Sequence, residues 1–266
     1  MTSAVLFHIA SLKSRLINSV VQNIYEIFMK LNNIYKKHIE PHSHPTFLSN
    51  FILGSQDGLV NVLGILLGLS AATTDIRLII VGSLAALAAE SISMGAVAYT
   101  STLARHKHYL KEVEREKREM KEMPKAERKE VEVVLSEWGY AGRKLKSMTE
   151  GICSNPKAML EFMMAFELKL SPVSKSEARY SFTTVLLSTI FGSSLPLIPF
   201  LVSGNILYDV IFSVILSGFV LFIIGYYEAK VTVGSLWRSG LQMLAIGLSA
   251  GIVGYLIGHF LGATPV

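Results

Sequence analysis

Residues 47–72 read FLSNFILGSQDGLVNVLGILLGLSAA. As a helix this run measures about 39 Å at 1.5 Å per residue, enough to cross a bilayer, and it holds a single charge, Asp57, away from either end. An acid near the bilayer centre costs roughly 2.5–3.5 kcal/mol on insertion scales, so such residues face a bundle interior or a water path and mark ion or proton routes. Gly54, Gly58, Gly64 and Gly68 leave positions without side chains. The Gly64/Gly68 pair has the small-xxx-small spacing that lets two membrane helices approach closely.

Composition agrees with a chain that is partly in and partly out of a membrane. Of 266 residues, 51% are hydrophobic and 17% charged, too apolar for an ordinary soluble domain and too charged to be all membrane. The charges are segregated: residues 104–179 hold 17 of the 25 Lys and Arg and 13 of the 20 Asp and Glu. Net charge is +5, but the even mixing of signs in that block argues against nucleic-acid binding, which needs an unbalanced basic face. The single cysteine, Cys153, excludes an internal disulfide framework and a thiolate cluster built from one subunit. The first residues lack the compact apolar core and small-residue cleavage site of a signal peptide.

Outward from the first span, residues 1–38 repeat apolar positions at mixed three and four spacing, with Lys13, Arg15, Lys30, Lys36 and Lys37 around them; the expected element is an amphipathic helix on the membrane surface. Pro41 and Pro45 end it, and His42 and His44 sit in a linker where they are expected to be solvated. A second span over residues 78–103 carries one charge, Glu90, with Met94 one turn along on the same face. Spans three to five are expected at 180–202, 210–227 and 239–261, without formal charge apart from His259 near the end of the fifth. Pro196 and Pro199 in the third free carbonyls that are tolerated only against protein or a water cavity, a second pointer to a polar path. Gly247, Gly251, Gly254 and Gly258 suit close packing of the fifth. Five Lys or Arg precede span one, 17 lie between spans two and three, and Lys230 and Arg238 separate spans four and five, against Arg77 alone on the other side. The positive-inside rule therefore places the N-terminus and charged block in the cytosol and the C-terminus outside or in a lumen.

The charged block reads as three helices, residues 105–123, 124–138 and 156–170, with Pro124 and Pro156 at first helical positions. Glu112, Glu116 and Glu119 share one face of the first, Glu127 and Glu130 are three apart in the second, and Met163, Met164 and Glu167 lie in the third. Carboxylates converging from separate helices hold divalent ions, and an added thioether tilts preference toward softer metals such as Fe(II). Residues 111–132 also contain eight Glu and eight Lys or Arg, the composition of a solvated helix laced with salt bridges. Composition and spacing leave both readings open.

The strings GSQDGLVNVLGILLGLSAAT, ESISMGAVAYTS, EREKREM, NPKAMLEFMMAFELKL and SLPLIPF together resemble the vacuolar iron transporter family, over residues 41–261 and in the family's order. The resemblance implies an all-α membrane protein of five transmembrane helices that forms a homodimer, with a pore between subunits and a cytosolic three-helix metal-binding domain between spans two and three. It implies pore positions at Asp57 and Met94, and metal ligands at Glu116, Glu119, Glu127, Glu130, Met163, Met164 and Glu167. It implies export of Fe(II), sometimes with Mn(II), from the cytosol in exchange for protons. One departure concerns the acid that many members carry immediately before the tyrosine of span two: here Ala98 precedes Tyr99, and Glu90 stands two turns earlier.

The expected organisation is an N-terminal helix and linker (1–46), spans one and two (47–103), the metal-binding domain (104–179) and spans three to five (180–266). The expected function is proton-coupled Fe(II) export through Asp57, Glu90 and Met94, with lipid, Fe(II) and protons as partners and no tightly bound cofactor or nucleic acid. The membrane would be the plasma membrane in a prokaryote or the vacuolar membrane in a eukaryote. A Mn(II) or broad divalent-metal transporter is the rival within this class, and a membrane-anchored iron sensor, store or oxidase without transport is the rival outside it. No Glu-x-x-His pair of the di-iron type occurs in the sequence, which argues against an oxidase.

Overall fold

A computed structural model describes residues 45–232 and 234–262; the expected surface helix over residues 1–38 and the His42/His44 linker lie outside them. The described elements are helical. They are α1 (Pro45–Ala72), α2 (Ile76–Glu122), α3 (Pro124–Glu137), α4 (Gly142–Cys153) and α5 (Pro156–Phe162), which runs into a π-helical turn (Met163–Glu167). There follow α6 (Lys175–Ser194), a 3-10 turn (Leu195–Leu197), α7 (Ile198–Val202), α8 (Ile206–Val231) and α9 (Leu236–Leu261). Five stretches are long and apolar enough to cross a membrane: Phe47–Ala72, Ile76–Glu122, Lys175–Val202, Ile206–Val231 and Leu236–Leu261.

The centre of the bundle is α1, where Leu59, Val62, Leu63 and Leu66 are fully buried. Val62, Leu63, Leu66 and Leu67 pack with Ile79 of α2 and with Leu197 and Phe200 beyond α6. On the outside, Leu187, Phe212, Phe219, Trp237 and Phe260 are exposed, an apolar surface that only hydrocarbon covers without hydrophobic cost. Inside, small and hydroxylated residues let backbones meet: Gly54 and Gly58 face Ser188, Thr189 and Ser193 of α6, and Gly192 meets the Ser55 carbonyl. Asn50 Nδ2 donates to Ser181 Oγ at 3.2 Å, so the contact is tied by a polar bond where hydrophobic drive is weak.

The glycines of spans one and five meet as their spacing predicts. A Cβ on Gly64 of α1 would stop 3.4 Å from the Ala250 carbonyl oxygen, whereas one on Gly254 of α9 would run into the Gly64 carbonyl. The Gly254→Ala variant is therefore expected to lose about 1–3 kcal/mol through forced separation of the helices, while Gly64→Ala stays near wild type. Thermal unfolding in detergent separates the two; equal melting points would contradict this crossing.

Several boundaries differ from the sequence expectation. Span four begins at Ile206, not 210, because Asn205 caps it: its Oδ1 accepts from the Leu207 and Tyr208 amides. Asp209, expected just outside the span, thus lies in its first turn, 1% exposed, accepting a hydrogen bond from Ser203 Oγ. In span three the two prolines produce the 3-10 turn, and the Pro196 carbonyl accepts from Ser213 Oγ of α8 at 2.8 Å.

The second span does not stop at 103. With no Gly or Pro between Gly95 and Pro124, α2 continues for 47 residues, about 70 Å of unbroken rod, whose first half is apolar and whose second half is rich in Glu. The charged block contains four helical stretches where three were expected, the added one being α4. Its Leu145, Met148 and Ile152 pack against a core of Val131, Val134, Leu135, Met159, Phe162 and Met163.

Candidate transport and metal sites

The membrane site is built on facing turns of α1 and α2. Asp57 and Asn61, one turn apart on α1, share a face; Asn61 Nδ2 donates a hydrogen bond to Glu90 Oε1 of α2, and the Glu90 carboxyl also lies against that of Asp57. Asp57 and Glu90 are half-buried and Asn61 is exposed, so the group opens on the outer face of the chain. Met94, one turn beyond Glu90, is half-buried. Sequence reasoning missed Asn61, although its four-residue offset from Asp57 was the signal that could have found it. Two carboxylates, an amide and a nearby thioether make an oxygen-rich site of borderline softness.

The second site lies in the charged block. Glu116 and Glu119 project from α2 and Glu127 from α3, and each offers a carboxylate oxygen within 4.8 Å of the others. Glu116 and Glu127 are 1% and 2% exposed; Glu116 pairs with Arg115, whereas Glu127 has no Lys or Arg ion pair among the described residues, which is rare for so buried a glutamate. The non-helical Met123 separates α2 from α3, which starts at Pro124, and Glu127 of α3 comes within reach of Glu116 and Glu119. Glu167 arrives from the π-helical turn, closed by a Leu168 amide to Met163 carbonyl bond of 3.0 Å; such turns occur disproportionately at functional sites.

Electrostatics join these groups into one cluster. The Glu127 carboxyl is pushed up to about 7, first by burial and then by Glu130, Glu116, Glu119 and Glu167. Glu167 is likewise pushed up to about 7 by burial, Glu130 and Glu116, with Arg115 opposing. One oxygen each of Glu116, Glu127 and Glu167 is buried with no hydrogen-bond partner. Buried orphan carboxylate oxygens are costly, and a divalent cation would relieve all three. The structure thus groups Glu116, Glu119 and Glu127, with Glu130 and Glu167 near enough to act on them electrostatically. The methionines divide: Met163, fully buried, packs in the apolar core with Val131 and Leu135, while Met164 is 3% exposed and outside that core cluster.

The sequence profile of the VIT family matches residues 48–259. Vacuolar iron transporter 1 of Arabidopsis thaliana is 29% identical over 221 residues, covering 83% of this chain and 88% of its own. Vacuolar iron transporter 1 of Oryza sativa subsp. japonica is 30% identical over 224 residues, with 83% and 89% covered. Protein CCC1 of Saccharomyces cerevisiae is 26% identical over 222 residues, with 80% and 69% covered. With both sites inside the matched residues and five helices fit to span a membrane, this multi-pass membrane protein belongs to the VIT family.

Proposed function

We propose that the chain is a proton-coupled transporter that moves Fe(II) out of the cytosol, and not an enzyme. The observation that carries this is the rod α2, which bears Glu116 and Glu119 of the acid cluster and Glu90 of the membrane site on one continuous helix. The two sites are 26 residues apart along it, about 39 Å. The cluster, as a cytosolic metal-binding domain over residues 104–179, gathers and buffers metal; Asp57, Glu90 and Met94 pass it through the membrane. Relatives named vacuolar iron transporters support iron as the cargo.

Asp57 and Glu90 open on the outside of the single chain, and a second copy placed there would close a pore from two such groups. This favours a homodimer. The excess of Lys and Arg between spans two and three supports a cytosolic position for that block. The acid pair would take up protons as metal leaves, coupling export to proton entry. Because oxygen ligands dominate both sites, Mn(II) is the second cargo they suit.

Fe(II) uptake into proteoliposomes, with a pH dye inside and an opposing proton gradient imposed or absent, tests the proposal. Uptake that rises with the gradient and moves protons outward is expected; metal binding without uptake under any gradient would leave a sensor or store. Added Mn(II) that suppresses Fe(II) uptake would mark a broad divalent carrier. For the acid cluster, Glu127→Gln is expected to weaken metal binding at least about tenfold, within the range seen when a metal site's supporting groups are lost, as read by titration calorimetry with Mn(II).

A further inference from the structure

Glu116 and Glu119 already share a cation of this chain's own. Arg115, on the flank of the same helix, places Nη1 2.9 Å from Glu112 Oε2, Nη2 3.3 Å from Glu116 Oε1 and Nε 3.4 Å from Glu119 Oε2. Among the described residues no other Lys or Arg forms an ion pair with Glu116, Glu119, Glu127, Glu130 or Glu167. The guanidinium uses one oxygen of Glu116 and leaves the other, Oε2, buried and unpartnered, as are the Oε2 atoms of Glu127 and Glu167.

We propose that Arg115 is an affinity-setting residue of this cluster: a permanent positive charge in the wall of the metal site that weakens metal binding so that the cluster exchanges its cargo and does not store it. The inference rests on the reading of the cluster as a metal site. An Arg cannot lose its proton at any physiological pH, so its charge persists when a dication enters. It also holds one oxygen of Glu116 by a hydrogen bond and lies 3.4 Å from one of Glu119, which restricts Glu116 toward one-oxygen contact with the metal. An Arg beside a carboxylate reduces that group's affinity for a proton about 10- to 1,000-fold. A dication, with twice the charge, is opposed at least as strongly. A carrier gains from this: metal held too tightly on α2 would never reach the membrane site.

The test is binding and flux with Arg115→Gln and Arg115→Lys in the full chain. Mn(II) binding is measured at pH 8, where competition from protons is small. Arg115→Gln is expected to bind at least about tenfold more tightly, and Arg115→Lys, which keeps the charge, to stay near wild type. In proteoliposomes the Gln variant should show a lower KM and a lower maximal rate, a split that mere loss of structure does not produce. Arg115→Met serves as a second neutral variant should the first fail to fold. Weaker or unchanged binding in the neutral variants overturns the proposal and makes Arg115 a structural tie. Glu127→Gln is run alongside: if it binds as wild type does, the cluster reading fails instead.

Discussion

Asp57→Asn is expected to reduce metal flux to the level of protein-free vesicles while leaving the fold intact. The two side chains are nearly isosteric, and among the described residues Asp57 has no Lys or Arg ion-pair partner whose loss would open the bundle. Its neighbour is another acid, Glu90, so removing the charge lessens a repulsion, and the melting temperature should stay level or rise. Transport is different. A neutral amide neither balances a dication in a low-dielectric site nor exchanges a proton for it. Flux and thermal unfolding measured on the same preparation decide the matter: undiminished transport by a folded Asp57→Asn protein would remove Asp57 from the pathway. Asn61→Ala provides the graded contrast. It deletes the donor to Glu90 but no charge, and so is expected to slow flux without abolishing it.

The parts of this architecture that sequence made legible are those written in single residues against a uniform background. One charge in a 26-residue span stands out as a candidate membrane site, and glycines four apart announce a close crossing, because each is an exception to hydrocarbon chemistry. Where the signal depends on context, sequence reading was less complete. The helix α4 has its apolar residues at 145, 148 and 152, correct amphipathic spacing, but flanking Gly142 and Gly151 weaken the local propensity. Packing against α3 and α5 overrides them. The length of α2 was hidden for the opposite reason: its hydropathy changes abruptly near Leu103 while its backbone does not. Asp209 escaped because a capped first turn looks polar in sequence whether or not the fold buries it. The choice between solvated salt bridges and a metal cluster in residues 111–132 could not be made from composition. Arg115 pairs with the cluster along α2, while α3 turns Glu127 inward, away from its own basic neighbours.

That inward turn gives the protein an inverted response to pH. Glu127 and Glu167 stand near 7 in the fold against an ordinary value of 4.5, so between those pH values the folded chain holds protons that the unfolded chain has released. Stability is then greatest below about pH 4.5 as far as these groups are concerned, and it falls as pH rises through 7. For the buried Glu127 alone the loss is on the order of 3 kcal/mol. Metal reverses the slope. A dication binds the ionised carboxylates, displaces their protons and stabilises the fold by mass action, so the loaded protein should gain stability over the same interval in which the metal-free one loses it. Melting temperatures at pH 5, 6, 7 and 8, with a chelator and with Mn(II), should diverge as pH rises, and Glu127→Gln should flatten the metal-free curve. A metal-free protein whose melting temperature climbs steadily from pH 5 to 8 would mean that the carboxylates are already compensated, and that the orphaned oxygens of Glu116, Glu127 and Glu167 are not waiting for a cation.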